Sequence, residues 1–566
     1  MRGCLKIGFQ NLASLYLTGS PKTFPLGKDS ESRECPYSEE ELSEMEMTLE
    51  EWNGSKENGF KFNNSLLNNN ADWDSFPGYM RNSGLGTFDS FFSGIGSEFA
   101  KNTNFGTGIS LAGASLFTAF TSQAKNIPFL SSNFSLFNFG GRLVRAPLHI
   151  FDSAFSVIGE KGAGLTTPAI LAGAGSIFGL SRVLSKNDSK SFKLPNTTIG
   201  GTLGRTSVHH LESMLASKAS ALFTENQATG AFLATSLTTL GLSTSQSVKE
   251  TKLPFRTFEG LAAQGGFHFL DSLFANIAKT ITTISDSPLK VLFGGIALST
   301  GLPLISGIKG IKNFKASYSK FGGRLIRSIL HLPETLVYNA GNIVGKSVLG
   351  IPLSLGFAGL TAFSSFSKQG KNLFKNFKIP IGTLGGQFKR VPFDFIYSVT
   401  SGSALKLSKF IPAPLLLLAG PALSFQIGER FKTVKASYTE GRGLMVRNTV
   451  HLWETLLSNA AYRTGKMVAG MKEDEHSSSG SVLSDGRWLT DEGQIVPSMA
   501  IGKQMNHDAP MSLTKTILGA IGGLGFGLVL SMIGKNPKQN KTERFNSGKV
   551  LKGVNYGNSV NNFSRV

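Results

Sequence analysis

The pattern Arg-x-x-x-His-x-x-(Asp/Glu)-(Ser/Thr) returns along this chain at an interval of about 60 residues. Complete copies are Arg145-His149-Asp152, Arg205-His209-Glu212, Arg327-His331-Glu334 and Arg447-His451-Glu454. A copy at His268-Asp271 lacks the Arg, Arg390-Asp394 (with Tyr397 and Ser398) is degenerate, and Phe88-Asp89-Ser90 is a weak first one. The acid position advances by 63, 60, 59, 63, 63 and 57 residues, and five of the eight histidines occupy this one position. Such a period marks an array of supersecondary units, none of which buries a core alone. Arg, His and acid at i, i+4 and i+7 form one stripe of a helix.

Each copy is followed by a window without a single charge: 102–124, 162–181, 226–248, 291–308, 347–367, 410–428 and 516–534. These windows approach the roughly 20 apolar residues that carry a helix across a bilayer. Ser, Thr and Gly dilute them, and the bland reading of such a window is the core helix of a soluble protein. The chain has 66 glycines, however, and each glycine costs a water-exposed helix about 1 kcal/mol relative to alanine. Gly519, Gly523 and Gly527 share one helix face, and Gly175 and Gly179 form a shorter instance, which is the close-packing pattern of membrane helices.

A net charge of +20 accompanies only 17% charged residues. The basic residues gather after the windows and before the next motif: 309–327 and 368–390 each hold six and no acid. Anionic lipid headgroups suit such loops better than nucleic acid, because the loops alternate with apolar windows and offer few aromatic platforms other than Phe. Under the positive-inside rule each unit is then a helical hairpin, with the motif helix crossing and the window returning. The competing topology lays the motif helices in the interface as amphipathic elements and lets only the windows span, giving 7 spans rather than 14.

The stripe has two readings. As a function it is a proton or ion relay. As architecture it lets every unit satisfy buried polar groups against its neighbour. Recurrence in every unit favours architecture, because one reaction needs one constellation. His-x-x-Glu reverses the Glu-x-x-His order of di-iron bundles and lacks their extra carboxylates, so no metal is expected. Gly345-Lys346-Ser347 imitates a P-loop but follows a helical segment, and its counterpart Gly465-Lys466-Met467 lacks the hydroxyl. With only Cys4 and Cys35, neither a disulfide framework nor a thiol-based metal site is available. No Ser-His-Asp order and no supported carboxylate pair suggests an enzyme.

The expected fold is all-α: tandem helical-hairpin repeats over 81–470, Gly-rich and membrane-embedded. A polar, acidic tail (1–80) precedes them, and its first 28 residues, which hold no acid, are compatible with a cleaved presequence. An acidic insertion (471–512), a glycine-zipper helix (513–534) and a basic tail (535–566) follow. The expected role is a structural or scaffolding protein integral to a bacterial inner membrane or an organellar one. Its partners are anionic lipid, an acidic protein or a second copy, with no cofactor. A transporter using the stripe and a soluble α-solenoid for protein binding are the alternatives.

Overall fold

The computed structural model describes residues 75–102, 130–161, 194–224, 261–278, 288–373 and 377–470, with short gaps, and three dipeptides between 481 and 496. The chain before Ser75, the windows 103–124, 162–181, 226–248 and 516–534, and the basic tail lie outside the described residues. What is described is all-α except for a small antiparallel sheet. The helices are α1 (Phe76–Asn102), α2 (Phe139–Arg145), α3 (His149–Lys161), α4 (Ile199–Thr224), α5 (Pro288–Ile305) and α6 (Lys309–Lys312). They continue with α7 (Phe321–Lys346), α8 (Gly350–Phe366), α9 (Lys368–Leu373), α10 (Leu384–Ser408), α11 (Ala413–Arg430) and α12 (Gly441–Val468). The sheet consists of β1 (Ser481–Val482), β2 (Trp488–Leu489) and β3 (Ile495–Val496); β1 packs on α3 and β3 on α12.

The described motifs lie on helices, except that in the copy Arg145-His149-Asp152 the expected single stripe is broken: Arg145 ends α2 and His149 begins α3 across a 3-10 turn at Ala146–Leu148, which holds Pro147. Several of the motif helices start in similar ways. Ser75, Thr198 and Thr383 each accept a hydrogen bond from the amide three residues on, at Gly78 (3.1 Å), Gly201 (3.0 Å) and Gly386 (3.1 Å). This satisfies one of the amides that a helix start leaves without an internal partner. Gly201, Gly323, Gly386 and Gly443 sit where a Cβ would collide with the carbonyl oxygen six residues earlier. Only glycine lets the lead-in fold back so closely. The lead-ins then pair with one another. Leu384 N donates to Phe314 O (2.8 Å), Ile379 N to Thr439 O (2.8 Å), and Phe76 N to Val434 O (2.9 Å).

That last pair joins the start of the first inner helix to the lead-in of the last, and the helices do the same. α1 packs on α3, α3 on α4, α7 on α10, α10 on α12, and α12 on α1. The helical residues within 267–278 bridge α4 and α7, through His268 to Glu212 (3.5 Å) and through the buried Asp271–Arg324 ion pair. Seven motif-bearing helices therefore close a ring. At the seam Tyr79 Oη donates to Glu454 (3.2 Å) and Tyr462 Oη to Ser97 (3.0 Å).

Windows 291–308, 347–367 and 410–428 become α5, α8 and α11, an outer layer. A hairpin would have placed each against its own motif helix. Instead the chain turns by 111° between α7 and α8, and α8 crosses the next two inner helices. Ser354 donates to Ser403 of α10 (2.9 Å) and Thr361 to Met445 O of α12 (3.1 Å). α5 likewise lies on α7 and α10, and α11 on α12 and α1. Leu298 and Leu302 of α5 and Leu353 and Phe357 of α8 share one core with Val337, Val344, Val391 and Val399.

The outer helices turn small and polar side chains inward. In α8 the inward set includes Ser354, Thr361, Ser364 and Ser365; in α11 it includes Gly420, Ser424 and Gly428. Many of their large apolar residues face out: Leu355 (68% exposed), Phe363 and Phe366 on α8, Leu415 and Leu418 (81%) on α11, and Leu304 on α5. No single described helix is long and apolar enough to cross a membrane; α7 and α8 meet that measure only as a bent pair.

Candidate functional site: a belt of buried ion pairs

The stripe residues that the sequence singles out lie in the seams between inner helices. Each motif histidine faces the acid one turn ahead on its own helix. Nδ1 is 3.4 Å from Asp152 for His149, 3.2 Å from Glu212 for His209, 3.6 Å from Asp271 for His268, 3.7 Å from Glu334 for His331 and 3.2 Å from Glu454 for His451. In three cases Nε2 faces the acid of the preceding unit as well. His149 is 3.8 Å from Asp89, His268 is 3.5 Å from Glu212, and His331 is 3.3 Å from Asp271. An imidazole between two carboxylates joins two helices with one side chain.

Consecutive contacts form a continuous run from His209 through Glu212, His268, Asp271 and His331 to Glu334. The run passes from helix to helix around the ring, not along any helix axis. Most of these groups are buried: His331 and Glu454 are each 1% exposed, Glu334 7% and His451 0%, while His268 is partly buried. Burying a charge is tolerable only when it is paired and hydrogen-bonded, and here Asp89, Glu212 and Asp271 each face a basic side chain of the next motif.

The motif arginines have a different task. Arg205, Arg327 and Arg447 each donate from Nε to the carbonyl eleven residues earlier, at Leu194 (3.0 Å), Ala316 (2.6 Å) and Ala436 (2.6 Å). The arginine thereby staples the lead-in to its helix. Arg447 also lies between the rings of Tyr79 (4.8 Å) and Tyr438 (4.7 Å). Arg145 is buried at the end of α2. Replacing Arg447 by Met should lower the free energy of unfolding, by about 1–3 kcal/mol for the orphaned carbonyl and roughly 0.5–2 kcal/mol for the lost cation–π contacts, read from a denaturation curve. Arg463→Met, at an exposed site of α12, should leave the same denaturation curve unmoved.

Two parts of the belt lie outside the motif. Arg142 donates to Asp89 (2.8 Å), and Arg324 pairs with Asp271 through both guanidinium Nη atoms. Both arginines stand ten residues before their own acid, a second recurrence that the sequence offers. The degenerate copy on α10 also has a use. Arg390 faces Asp394 (3.6 Å), and Tyr397, at the acid position, stacks flat on the His451 ring with centroids 3.4 Å apart. An aromatic face there substitutes for a carboxylate against the next imidazole.

Glycine sets the spacing of the inner helices. At Gly94, Gly345 and Gly465 a Cβ would collide with backbone of the neighbouring helix, at Tyr462 O, Val399 O and Phe91 O. Gly175, Gly179, Gly519, Gly523 and Gly527, the close-packing glycines named from sequence, lie outside the described residues. Among the described residues no three His, Cys, Asp or Glu side chains gather as a metal site. Chemically the belt offers charge-assisted ties between helices, and on α12 the buried His451 also meets the Thr455 hydroxyl at Nε2 (3.1 Å) while its Nδ1 faces Glu454 (3.2 Å). No protein-family model, no curated protein and no solved structure matches this chain.

Proposed function

We propose that this protein is an integral membrane scaffold, built from tandem units of about 60 residues each whose motif helices form a closed, ion-paired ring sealed by lipid. The observation that carries the reading is the polarity of the outer layer. α8 and α11 turn Ser354, Thr361, Ser364, Ser365, Gly420, Ser424 and Gly428 inward and leave Leu355, Phe363, Phe366, Leu415 and Leu418 exposed. Leu353, Phe357 and Leu416 do join the core, yet the outward faces lack the polar character of an amphipathic helix on a water-soluble core. Contiguous apolar faces of this kind on soluble monomers are confined to a few hundred Å².

The inner helices have 25–28 residues where they are complete, or about 40 Å of rise, enough to cross a hydrocarbon core. Their ionisable groups meet each other in the ring interior, the setting in which membranes tolerate them. Exposed Lys312, Lys315, Lys371, Lys378, Arg430 and Lys435 lie on the connections from outer to inner helices. They make one basic rim, suited to anionic headgroups at about 1 kcal/mol per residue. A bacterial inner membrane or an organellar membrane supplies such lipid. The circumferential course of the ion-pair run supports a tie between helices over a relay across the bilayer.

Carbonate extraction of membranes carrying the full chain tests this. The protein should stay in the pellet and float with lipid vesicles, and Leu355→Lys combined with Leu418→Lys should reduce that retention severalfold. Quantitative release of the unaltered chain as a monodisperse, water-soluble species would overturn the reading.

A further inference from the structure

The far ends of the inner helices repeat a second arrangement, on the rim opposite the basic one. Lys101, Lys346, Lys409 and Lys466 each stand twelve residues after the acid position of their unit, which is filled by Asp89, Glu334, Tyr397 and Glu454. These lysines fall in the last turn of α1, α7 and α12 and one residue past the end of α10. α8 leaves this far rim and reaches the first one at Phe366, whose ring lies 5.8 Å from Phe431, itself 5.5 Å from Phe76 at the start of α1.

Helix ends attract lysine for a local reason, since the last carbonyls carry partial negative charge. Two of the basic groups here serve that purpose. Lys466 is buried over the Tyr462 ring (4.7 Å), and Lys406 donates to Ser347 O at the end of α7 (3.3 Å). Local capping does not account for the neighbours. Exposed Lys346 is followed by Val348 (83% exposed) and Leu349, and exposed Lys409 by Phe410 (76%). Met467 and Val468 are exposed after Lys466, as is Phe99 just before Lys101. A single exposed apolar residue is ordinary. Its return beside a lysine at the corresponding ends of four units is a pattern: an apolar wedge with a cation that can snorkel, as at the boundary of headgroups and acyl chains. Among the described residues of these four helix ends the acid is Glu98, which is buried, against Lys101, Lys346, Lys406, Lys409, Arg463 and Lys466.

We propose that this second rim binds acidic phospholipid, so that the protein grips anionic headgroups in both leaflets. The inference rests on the reading of the chain as membrane-integral. Charge and apolarity together decide the partner. A lipid phosphate meets Lys346 or Lys409 while Val348, Leu349 and Phe410 reach the acyl chains. A nucleic acid or a soluble polyanion would engage the lysines and leave those side chains in water. One consequence concerns orientation. A bias of Lys and Arg toward one face sets the direction of a membrane chain, and here both faces are basic among the described residues. The membrane that suits such a molecule carries acidic lipid on both sides.

Lipid retention by the full chain tests this. The protein is reconstituted in nanodiscs of phosphatidylcholine and phosphatidylglycerol, stripped in mild detergent, and weighed by native mass spectrometry as the share of phosphatidylglycerol is varied. Lys346→Gln with Lys409→Gln should lower the affinity for phosphatidylglycerol by about fivefold per lysine. Lys315→Gln with Lys378→Gln on the first rim should do likewise, and the two losses should combine in the quadruple variant. Lys346→Arg with Lys409→Arg should keep the lipid, and Phe410→Ser, which changes no charge, should weaken its hold. Unchanged retention in the far-rim Gln pair, with loss in the first-rim pair, would overturn the proposal and leave the membrane reading standing. A chain that keeps neither lipid would overturn both.

Discussion

Asp271→Leu should destabilise the protein by about 3–5 kcal/mol, the usual cost of removing one partner from a buried ion pair. Asp271 is 2% exposed and faces three cationic or potentially cationic groups from three directions: Arg324, His268 and His331. Its removal leaves the Arg324 guanidinium, also 2% exposed, without its carboxylate and with the Phe267 ring 5.5 Å away. The second change Arg324→Met should recover much of the loss, because replacing both members of a buried pair by apolar groups is often neutral or better. Chemical denaturation in detergent followed by circular dichroism reads both effects. A single variant that moves stability by no more than the roughly 0.5 kcal/mol of a surface change would show that the belt holds nothing together.

Enlarging the glycines between inner helices should have the next largest effect. Gly345→Leu drives a side chain into Val399 O and Gly465→Leu into Phe91 O; both obstacles are backbone, which no rotamer change removes. Overpacking a well-filled contact costs about 1–3 kcal/mol, and a helix pair forced apart also strains the histidine contacts beside it. Gly356→Leu on the outer face of α8, where nothing lies within 4 Å, is the matched control and should be close to neutral. Thermal unfolding of the three variants under one condition decides the matter: helix propensity alone predicts a gain of up to about 1 kcal/mol at each site, so Gly345→Leu and Gly465→Leu as stable as Gly356→Leu would mean that close approach is not what these glycines serve.

The helices and the stripe were readable from the order of residues because both depend on local spacing. Arg327, His331 and Glu334 lie on one helix by arithmetic, and α8 falls within its uncharged window while α5 and α11 overlap theirs by all but two or three residues. The partner across the seam was not readable. That His331 meets Asp271 as well as Glu334 depends on how neighbouring units are staggered, which a period of about 60 residues leaves undetermined. The hairpin expectation failed for a related reason. Nothing local to residues 347–349 states that the chain turns by 111° and crosses to α10 and α12 instead of lying on α7. The inward faces of the outer helices carried a signal all the same. Ser354, Thr361 and Ser365, or Gly420, Ser424 and Gly428, are the small residues at helical spacing on which the helices pack. Tyr397 reads as a lost acid until its ring is seen stacked on His451.

Circular closure also dictates when the molecule can finish folding. Tyr79 and Glu454 are 375 residues apart in sequence, and Tyr462 and Ser97 are 365 apart, yet each couple shares a hydrogen bond. At ribosomal speeds of about 5–20 residues per second, α1 emerges roughly 20–75 s before the helix it must clasp. Throughout that interval the nascent arc carries two raw ends, and truncation before α12 makes the condition permanent. The last fifth of the polypeptide therefore acts as the clasp for the first, so loss of the carboxyl-terminal portion should be felt most at the amino-terminal units.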